Sequence, residues 1–280
     1  MFKGFCCLID LNFSVFQKRL DDRSRAFLFL QMIDTAIAQG VDGVITTPPD
    51  QTLSQVAVDK LAEAGIPVLA SDDPLQTDDG TLLAPCVVID AYSTGVESAR
   101  WIIDYMKENG LDTDEECGIM LMTTDTVTSA VPRTEGQEDT IAELLPDFPA
   151  ERIFYTDYKI DLNVAYTAAN SIIVANPQIK KWMVLSTADE GTIGATRALE
   201  QAGLDKESCT VALGGYLAPA EFEKGTCCKA TVYFSAGEIG THAAENLVML
   251  MKGETPDQQY MVGCTIATPE NHVEVMPEYQ

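Results

Sequence analysis

Short apolar runs alternate along this chain with longer stretches in which apolar positions recur at helical spacing. The runs at 41–48 and 66–73 are each followed by a polar turn and then by a helical pattern. The same unit returns after 117–124, 181–187 and 209–215. Strands that alternate with helices in this way predict right-handed βαβ units. The sequence therefore predicts an α/β fold with a mostly parallel sheet.

Cap and turn residues agree with these helices. Asp50 and Thr52 are suitable helix N-caps, and Asn109-Gly110 and Gly203 are suitable helix ends. The first forty residues fit less well, because 5–11 predicts a strand and the remainder has to supply one turn and one helix.

Polar residues that follow the apolar runs are the first place to look for a function, because parallel sheets bind ligands at the carboxyl ends of their strands. Carboxylates occupy several of these positions: Asp72, Asp73, Asp90, Asp125 and Asp189. Two interpretations stay open from the residues alone. The carboxylates could be the general acid and base of a hydrolase, or they could accept hydrogen bonds from the hydroxyl groups of a bound polar ligand.

Arg133 is the most informative single residue, since it lies between a predicted strand and a predicted helix in a chain with few cations. An arginine at such a position can donate two hydrogen bonds to a pair of ligand oxygens. The alternative is a structural ion pair with a neighbouring carboxylate. Tyr92, close to Asp90, is a candidate for stacking on a ligand, whereas Trp101 and Trp182 fall at core positions.

The composition of the chain argues against several classes of function. The chain has 280 residues, of which 46% are hydrophobic, so it can bury a sizeable core. Its formal net charge of −25 argues against a nucleic-acid partner, because phosphate binding needs a basic face. No apolar run is long enough for a membrane-spanning helix. The start of the sequence does not match a secretory signal peptide, which favours a cytoplasmic protein or a chain without its leader.

Motifs for cofactors, metals and catalysis are missing from the sequence. It contains no CxxC spacing among eight cysteines, and its two histidines are far apart, so we expect no metal site. It also contains no GxGxxG, P-loop or GxSxG motif. We therefore expect no cofactor and assign no catalytic residue.

Several segments together resemble type 1 periplasmic sugar-binding proteins. They are IDTAIAQGVDGVITTPPD, AGIPVLASDD, VPRTEGQ and AANSIIVANPQIKKWMVLSTADEGTIGATRALEQAG. They follow one another with the family's order and spacing between about residue 31 and residue 272, and the arabinose-binding branch is the most similar.

The resemblance implies two Rossmann-like lobes with parallel sheets, joined by three crossovers, with the ligand in the cleft between them. It implies a first lobe of 1–89 plus 235–264 and a second of 90–234 plus 265–280. It also implies that the family's N-terminal strand–helix unit is missing or degenerate in this chain.

The resemblance also suggests individual ligand contacts. Asp73 and Arg133 match sugar-binding residues of the two lobes, and Ile89 matches a residue that lines the cleft. Three polar positions of the family fall instead at Ala188, near Gly214-Gly215 and at Phe234. The neighbouring residues that complete the predicted ligand site are Asp72, Asp90, Tyr92, Thr187, Asp189 and Tyr216.

From these observations we expect a non-catalytic protein that binds a monosaccharide or a similar small polar ligand for an ABC importer. Its partner would be the transporter permease or a sensor kinase, and the resemblance implies an extracytoplasmic location. The alternatives are a ligand-sensing domain of a signalling or transcriptional system and, third, a sugar-modifying enzyme.

Overall fold

A computed structural model describes residues 6–8, 22–124 and 130–279 of the chain. The chain divides into two compact units. The first consists of Met1–Ile89 and Ala236–Val262, and the second of Asp90–Ser235 and Gly263–Gln280. The predicted α/β class is confirmed in both. The predicted loss of an N-terminal strand–helix unit concerns the start of the chain, where the structure describes Cys6–Leu8 and then the residues from Asp22 onward.

Strands and helices alternate along most of the described chain. The strands are β1 (Cys6–Leu8), β2 (Val44–Thr46), β3 (Val68–Asp72), β4 (Cys86–Ile89), β5 (Cys117–Thr123), β6 (Ile153–Asp157), β7 (Lys181–Ser186), β8 (Cys209–Gly214), β9 (Cys228–Tyr233), β10 (Gln259–Val262) and β11 (Thr265–Ala267). The α-helices are α1 (Asp22–Gln39), α2 (Ser54–Glu63), α3 (Ala91–Glu108), α4 (Val131–Leu144), α5 (Leu162–Ala175), α6 (Asp189–Ala202), α7 (Ala218–Lys224), α8 (Ala236–Met251) and α9 (His272–Val275). No helix in the described residues is long and apolar enough to cross a bilayer.

The first unit contains a sheet in the order β1-β2-β3-β4-β10, with every neighbouring pair parallel. Its core joins α1 and α2 to the strands through buried residues such as Ile33, Leu61 and Ala70. In the apolar start of α1, Phe29 is buried but Phe27 is exposed. Residues 27–30 are all apolar, but only one side of this segment packs into the core and the other side is exposed to solvent.

The second unit contains a sheet in the order β11-β9-β8-β7-β5-β6, in which β11–β9 is the antiparallel pair. Side chains of β5 alternate between two cores. Ile119 and Leu121 pack with α3 and α4, whereas Met120 and Met122 pack with α5 and α6. A strand covered on both faces needs apolar residues at every position, which explains the continuous apolar run at 117–122.

Helices α3 and α4 approach so closely that glycine is required on both. A Cβ atom on Gly95 would lie 2.0 Å from the carbonyl oxygen of Arg133, and one on Gly136 would lie 2.3 Å from that of Tyr92. Two backbones can meet at this distance only where no side chain separates them. The contact fixes the first turn of α4, which carries Arg133, against the first turn of α3.

Substitution of Gly95 by Ala should separate these helices. Because the added methyl group would meet backbone rather than a movable side chain, we expect Gly95→Ala to lower the free energy of unfolding by about 3 kcal/mol. Denaturant unfolding followed by circular dichroism measures this. Gly240→Ala is the matched control, because nothing lies within 4 Å of the position that its methyl group would take in α8. It should be neutral or stabilising by up to about 1 kcal/mol. Equal effects of the two substitutions would contradict the proposed close contact.

Candidate functional site

In the second unit, Arg133 reaches the carboxyl end of the neighbouring strand. It lies in the first turn of α4, after Pro132, and its Nη1 donates a hydrogen bond to the carbonyl oxygen of Thr187 at 2.7 Å. Its Nε is buried and has no hydrogen-bond partner among the residues that the structure describes. One side of the guanidinium group is thus fixed by the protein, while the Nε donor on another side has no acceptor in the described part of the chain.

A cluster of hydroxyl groups joins the ends of three strands next to Arg133. The Thr187 hydroxyl lies 2.8 Å from that of Thr124, which follows β5, and 3.2 Å from that of Tyr158, which follows β6. All three side chains are buried, and burial raises the pKa of Tyr158. The sequence analysis identified Thr187 but missed the other two. Thr124 could have been found from its position directly after an apolar strand.

Asp189 supports the turn that follows β8. It is fully buried at the start of α6, and its two carboxylate oxygens accept hydrogen bonds from the backbone N–H groups of Gly215 at 3.2 Å and Leu217 at 2.7 Å. Burial raises the pKa of this carboxyl group to about 7. The position of Asp189 indicates that it shapes the site through this turn. Its predicted direct contact with a ligand stays a prediction.

The turn itself consists of Gly214, Gly215, Tyr216 and Leu217. The two glycines have φ values of 115° and 89°, in the region that favours glycine. The resemblance implies a polar side chain near this position, where this chain has only glycine backbone. Tyr216 is 43% exposed, and its hydroxyl donates a hydrogen bond to Glu190 at 2.5 Å. Sequence analysis missed Glu190 because it resembles an ordinary acidic residue in the first turn of a helix.

Asp90 and Tyr92 have partners at the start of α3. Asp90 is the N-cap, accepting hydrogen bonds from the backbone N–H of Ser93 at 3.0 Å and from its hydroxyl at 2.7 Å. The Tyr92 hydroxyl donates to Asp139 on α4 at 2.9 Å. Asp90 thus has a structural role in stabilising α3. A ligand contact by either residue stays a prediction.

In the first unit, the predicted site residues lie at the ends of two neighbouring strands. Asp72 is the last residue of β3, Asp73 follows it, and Ile89 ends β4. The φ value of Asp72 is 68°, which is unusual for a residue other than glycine. The hydroxyl of Thr47, after β2, donates to the carbonyl oxygen of Ser71 at 2.7 Å. Asp72, Asp73 and Ile89 therefore lie at the carboxyl ends of β3 and β4, and their contact with a ligand stays a prediction.

Two further expectations concern other parts of the chain. Asp125 lies outside the described residues. Among the residues that the structure describes, no group of three or more histidine, cysteine, aspartate or glutamate side chains could hold a metal ion.

A family profile described as "Periplasmic binding protein domain" matches residues 15–255. This chain belongs to the periplasmic binding protein family. Membership identifies it as a solute-binding protein rather than an enzyme, and confirms the resemblance to type 1 periplasmic sugar-binding proteins.

Two characterised relatives of this periplasmic binding protein are both L-arabinose-binding proteins. The one from Escherichia coli (strain K12) is 28% identical over 197 residues, and the match covers 69% of this chain and 58% of that protein. An ABC transporter L-arabinose-binding periplasmic protein from Azospirillum brasilense is 29% identical over 275 residues, covering 95% of this chain and 80% of that protein.

Solved structures support the fold of this periplasmic binding protein. A periplasmic solute-binding protein of an ABC transporter from Actinobacillus succinogenes 130z, solved with bound D-allose, superposes with a TM-score of 0.75 at 20% identity. The superposition covers 88% of this chain and 85% of that one. At this level of identity the likeness confirms the predicted fold, and the ligand belongs to the other protein.

The raised pKa of Asp189 predicts a specific pH dependence of stability. Because the folded state binds this proton more tightly than the unfolded state, the free energy of unfolding should rise as pH falls from about 7 towards about 4, and level off above about 7. The slope contributed by this one group is at most about 1.4 kcal/mol per pH unit. Chemical unfolding of wild type and Asp189→Asn across this range isolates the contribution. Parallel pH profiles for the two proteins would contradict it.

The unusual backbone of Asp72 predicts opposite effects of two substitutions. Asp72→Gly should leave the free energy of unfolding unchanged or higher, because glycine adopts positive φ without cost. Asp72→Val should lower it by about 2 kcal/mol, since a β-branched side chain is disfavoured there. Thermal and denaturant unfolding measure both. A stable Asp72→Gly protein with weakened ligand binding would assign the carboxylate to the ligand, and a destabilised one would contradict the backbone argument.

Proposed function

We propose that this protein binds a monosaccharide or a similar small polyhydroxy ligand, without catalysis, as the solute-binding component of an ABC importer. The observation that carries the proposal is the environment of Arg133. Its guanidinium group is held at the strand ends by Thr187, and its buried Nε has no partner within residues 22–124 and 130–279. A ligand oxygen would satisfy this donor, and leaving such a donor unsatisfied costs about 1–3 kcal/mol.

The surrounding groups match the chemistry of a sugar. Hydroxyl groups both donate and accept hydrogen bonds, so a polyhydroxy ligand needs donors and acceptors close together. The second unit offers a fixed cation in Arg133 and an acceptor in Glu190, whose oxygen already binds the Tyr216 hydroxyl. In the first unit, Asp72 and Asp73 lie at the carboxyl end of β3. Binding of one ligand by residues of both units stays a prediction from the resemblance.

The relatives support the biological setting of this proposal. Two L-arabinose-binding periplasmic proteins match most of the chain, and one of them is named as part of an ABC transporter. We therefore propose a transporter permease as the partner and an extracytoplasmic location. Arabinose itself is one candidate among the pentoses and hexoses, because the family's polar positions at Ala188 and Gly214-Gly215 are not polar side chains here.

A thermal-shift screen of the purified protein tests the proposed ligand class. The panel should contain arabinose, galactose, xylose, ribose, glucose, fucose and small polyols. A ligand present at about a hundred times its dissociation constant stabilises the folded state by about 2.7 kcal/mol, which raises the melting temperature by several degrees. A shift with at least one sugar is the expected result. A folded protein that none of the panel stabilises would contradict the proposal.

A pair of arginine substitutions tests the proposed site. Arg133→Ala should weaken binding of the identified sugar by about thirty-fold or more, because it removes a charged hydrogen-bond donor worth about 2 kcal/mol. Arg100→Ala removes the same charge from an exposed ion pair with Glu97 on α3 and should bind with wild-type affinity. Isothermal titration calorimetry gives both affinities. Wild-type affinity in Arg133→Ala would exclude Arg133 from the site.

A further inference from the structure

Two consecutive residues at the start of α6 hold three consecutive residues of the turn after β8. Asp189 accepts hydrogen bonds from the backbone N–H groups of Gly215 and Leu217, at 3.2 and 2.7 Å. Glu190 accepts one from the hydroxyl of Tyr216, at 2.5 Å. We refer to Asp189 and Glu190 as the clamp and to Gly214–Leu217 as the clamped turn. The clamp attaches this turn to the start of α6, two residues after Thr187, whose carbonyl oxygen holds Arg133.

The clamped turn is also confined by its neighbours. A Cβ atom on Gly214 would lie 2.8 Å from the Tyr216 ring, and one on Gly215 would lie 2.9 Å from the Cε of Met276. Both glycines adopt positive φ. Because glycine has no side chain, nothing within these two residues restricts the backbone to this conformation. The hydrogen bonds from the clamp therefore act together with these close neighbours to select one arrangement of an intrinsically permissive backbone.

No cation compensates the charge of Asp189 among the groups that the structure describes around it. The titratable groups facing it are Glu190 on its own helix, Tyr216 in the clamped turn and Cys228 on β9, with Tyr158 beyond Tyr216. Desolvation raises the pKa of Asp189 to about 7, and the backbone N–H groups offset this only in part. Its protonation state therefore changes in the range in which proteins normally function.

We propose that Asp189 is a positioning residue whose ionised carboxylate holds the clamped turn in its binding conformation, so that proton uptake loosens the turn and lowers ligand affinity. The ionised carboxylate can accept hydrogen bonds on both oxygens. After protonation one oxygen carries a hydrogen and becomes a donor, so it no longer suits the N–H group that faces it. In the loosened turn Asp189 stays buried but loses the N–H donors that lower its pKa, so this state binds the proton more tightly than the clamped state and is favoured by proton uptake. The link to affinity rests on the proposed function, whereas the link to the turn does not.

Amide hydrogen exchange tests the clamp without any ligand. Protection factors of peptides covering Gly214–Leu217, corrected for the intrinsic pH dependence of exchange, are measured from about pH 5.5 to about pH 8.5. Wild type should lose at least about tenfold in protection as pH falls through about 7, since one anchoring hydrogen bond is lost. Asp189→Asn should show low protection that does not vary with pH.

Asp114→Asn is the matched control. The carboxylate of Asp114 also accepts a hydrogen bond from a backbone N–H group, that of Glu116, but it lies before β5. This variant should retain the wild-type exchange profile of the clamped turn.

Tyr216→Phe keeps the test informative even if Asp189→Asn fails to fold. It removes the third anchor without altering Asp189, so protection of the turn should fall at every pH while its pH dependence persists. Tyr260→Phe, which removes a comparable hydroxyl donated to Glu238 in the first unit, should leave the turn unchanged. A wild-type protection profile that does not vary with pH would overturn the proposal, as would a wild-type profile in Asp189→Asn.

Binding measurements then separate this inference from the proposed function. With a sugar identified in the thermal-shift screen, wild-type affinity should fall about tenfold or more between pH 8 and pH 6, whereas Asp189→Asn should bind weakly at both. Constant wild-type affinity would overturn the link to ligand binding. If the turn loosens on acidification but no sugar binds, the clamp is supported and the proposed function is contradicted.

Discussion

The candidate site in the second unit depends on Thr187. Its carbonyl oxygen holds the Nη1 of Arg133 at 2.7 Å, and its hydroxyl contacts those of Thr124 and Tyr158. One residue at the end of β7 thereby joins the ends of β5 and β6 to the start of α4. A parallel sheet brings these ends to one edge, and the hydrogen bonds of Thr187 turn that proximity into a defined geometry. Buried hydroxyl groups that satisfy one another in this way favour a single arrangement over many loose ones.

Packing elsewhere supports this geometry. Arg133 can reach Thr187 because α3 and α4 meet backbone to backbone at Gly95 and Gly136, which fixes the start of α4. The strands beneath are covered on both faces, so the sheet offers little freedom for its ends to shift. Side chains that bind a ligand must stay within a fraction of an ångström of their binding positions, and a rigid sheet with closely packed helices provides this precision.

The general fold was predictable from the sequence because periodicity and cap residues are local signals. The strand at 181–186 and the helix that ends at Gly203 follow directly from the apolar pattern and from a glycine at the helix end, whose φ is 70°. Asp50 likewise accepts a hydrogen bond from the backbone N–H of Thr52, as a predicted cap should. Arg133 and Thr187 were identifiable because both directly flank predicted elements.

Other parts of the site could not be predicted, because they depend on contacts between residues that are distant in sequence. Tyr158 meets Thr187 only through the pairing of β6, β5 and β7, and nothing in its own neighbourhood distinguishes it. Asp189 resembles any strand-end carboxylate until the structure shows both of its oxygens engaged by a turn 26 and 28 residues further along the chain. The requirement for glycine at position 95 likewise emerges only from the approach of another helix.

The exchange of polar side chains for glycine backbone has a consequence for the ligand. Where the resemblance places polar side chains, this protein has Ala188 and Gly214-Gly215, so we expect no side-chain hydrogen bond to a ligand from these positions. Arg133 and Glu190 lie in the first turns of α4 and α6 in the same unit, and hydrogen bonds to groups of this ionisable kind contribute about 1.5–3 kcal/mol, against about 1 kcal/mol for neutral pairs. Fewer contacts can then supply comparable affinity. A site with fewer contacts would also have a different specificity. A charged donor and a charged acceptor require sugar oxygens at two defined positions but tolerate variation in the rest of the sugar. If the proposed site binds a sugar through Arg133 and Glu190, we expect it to recognise one pair of hydroxyl groups that several monosaccharides share, rather than every hydroxyl group of one sugar.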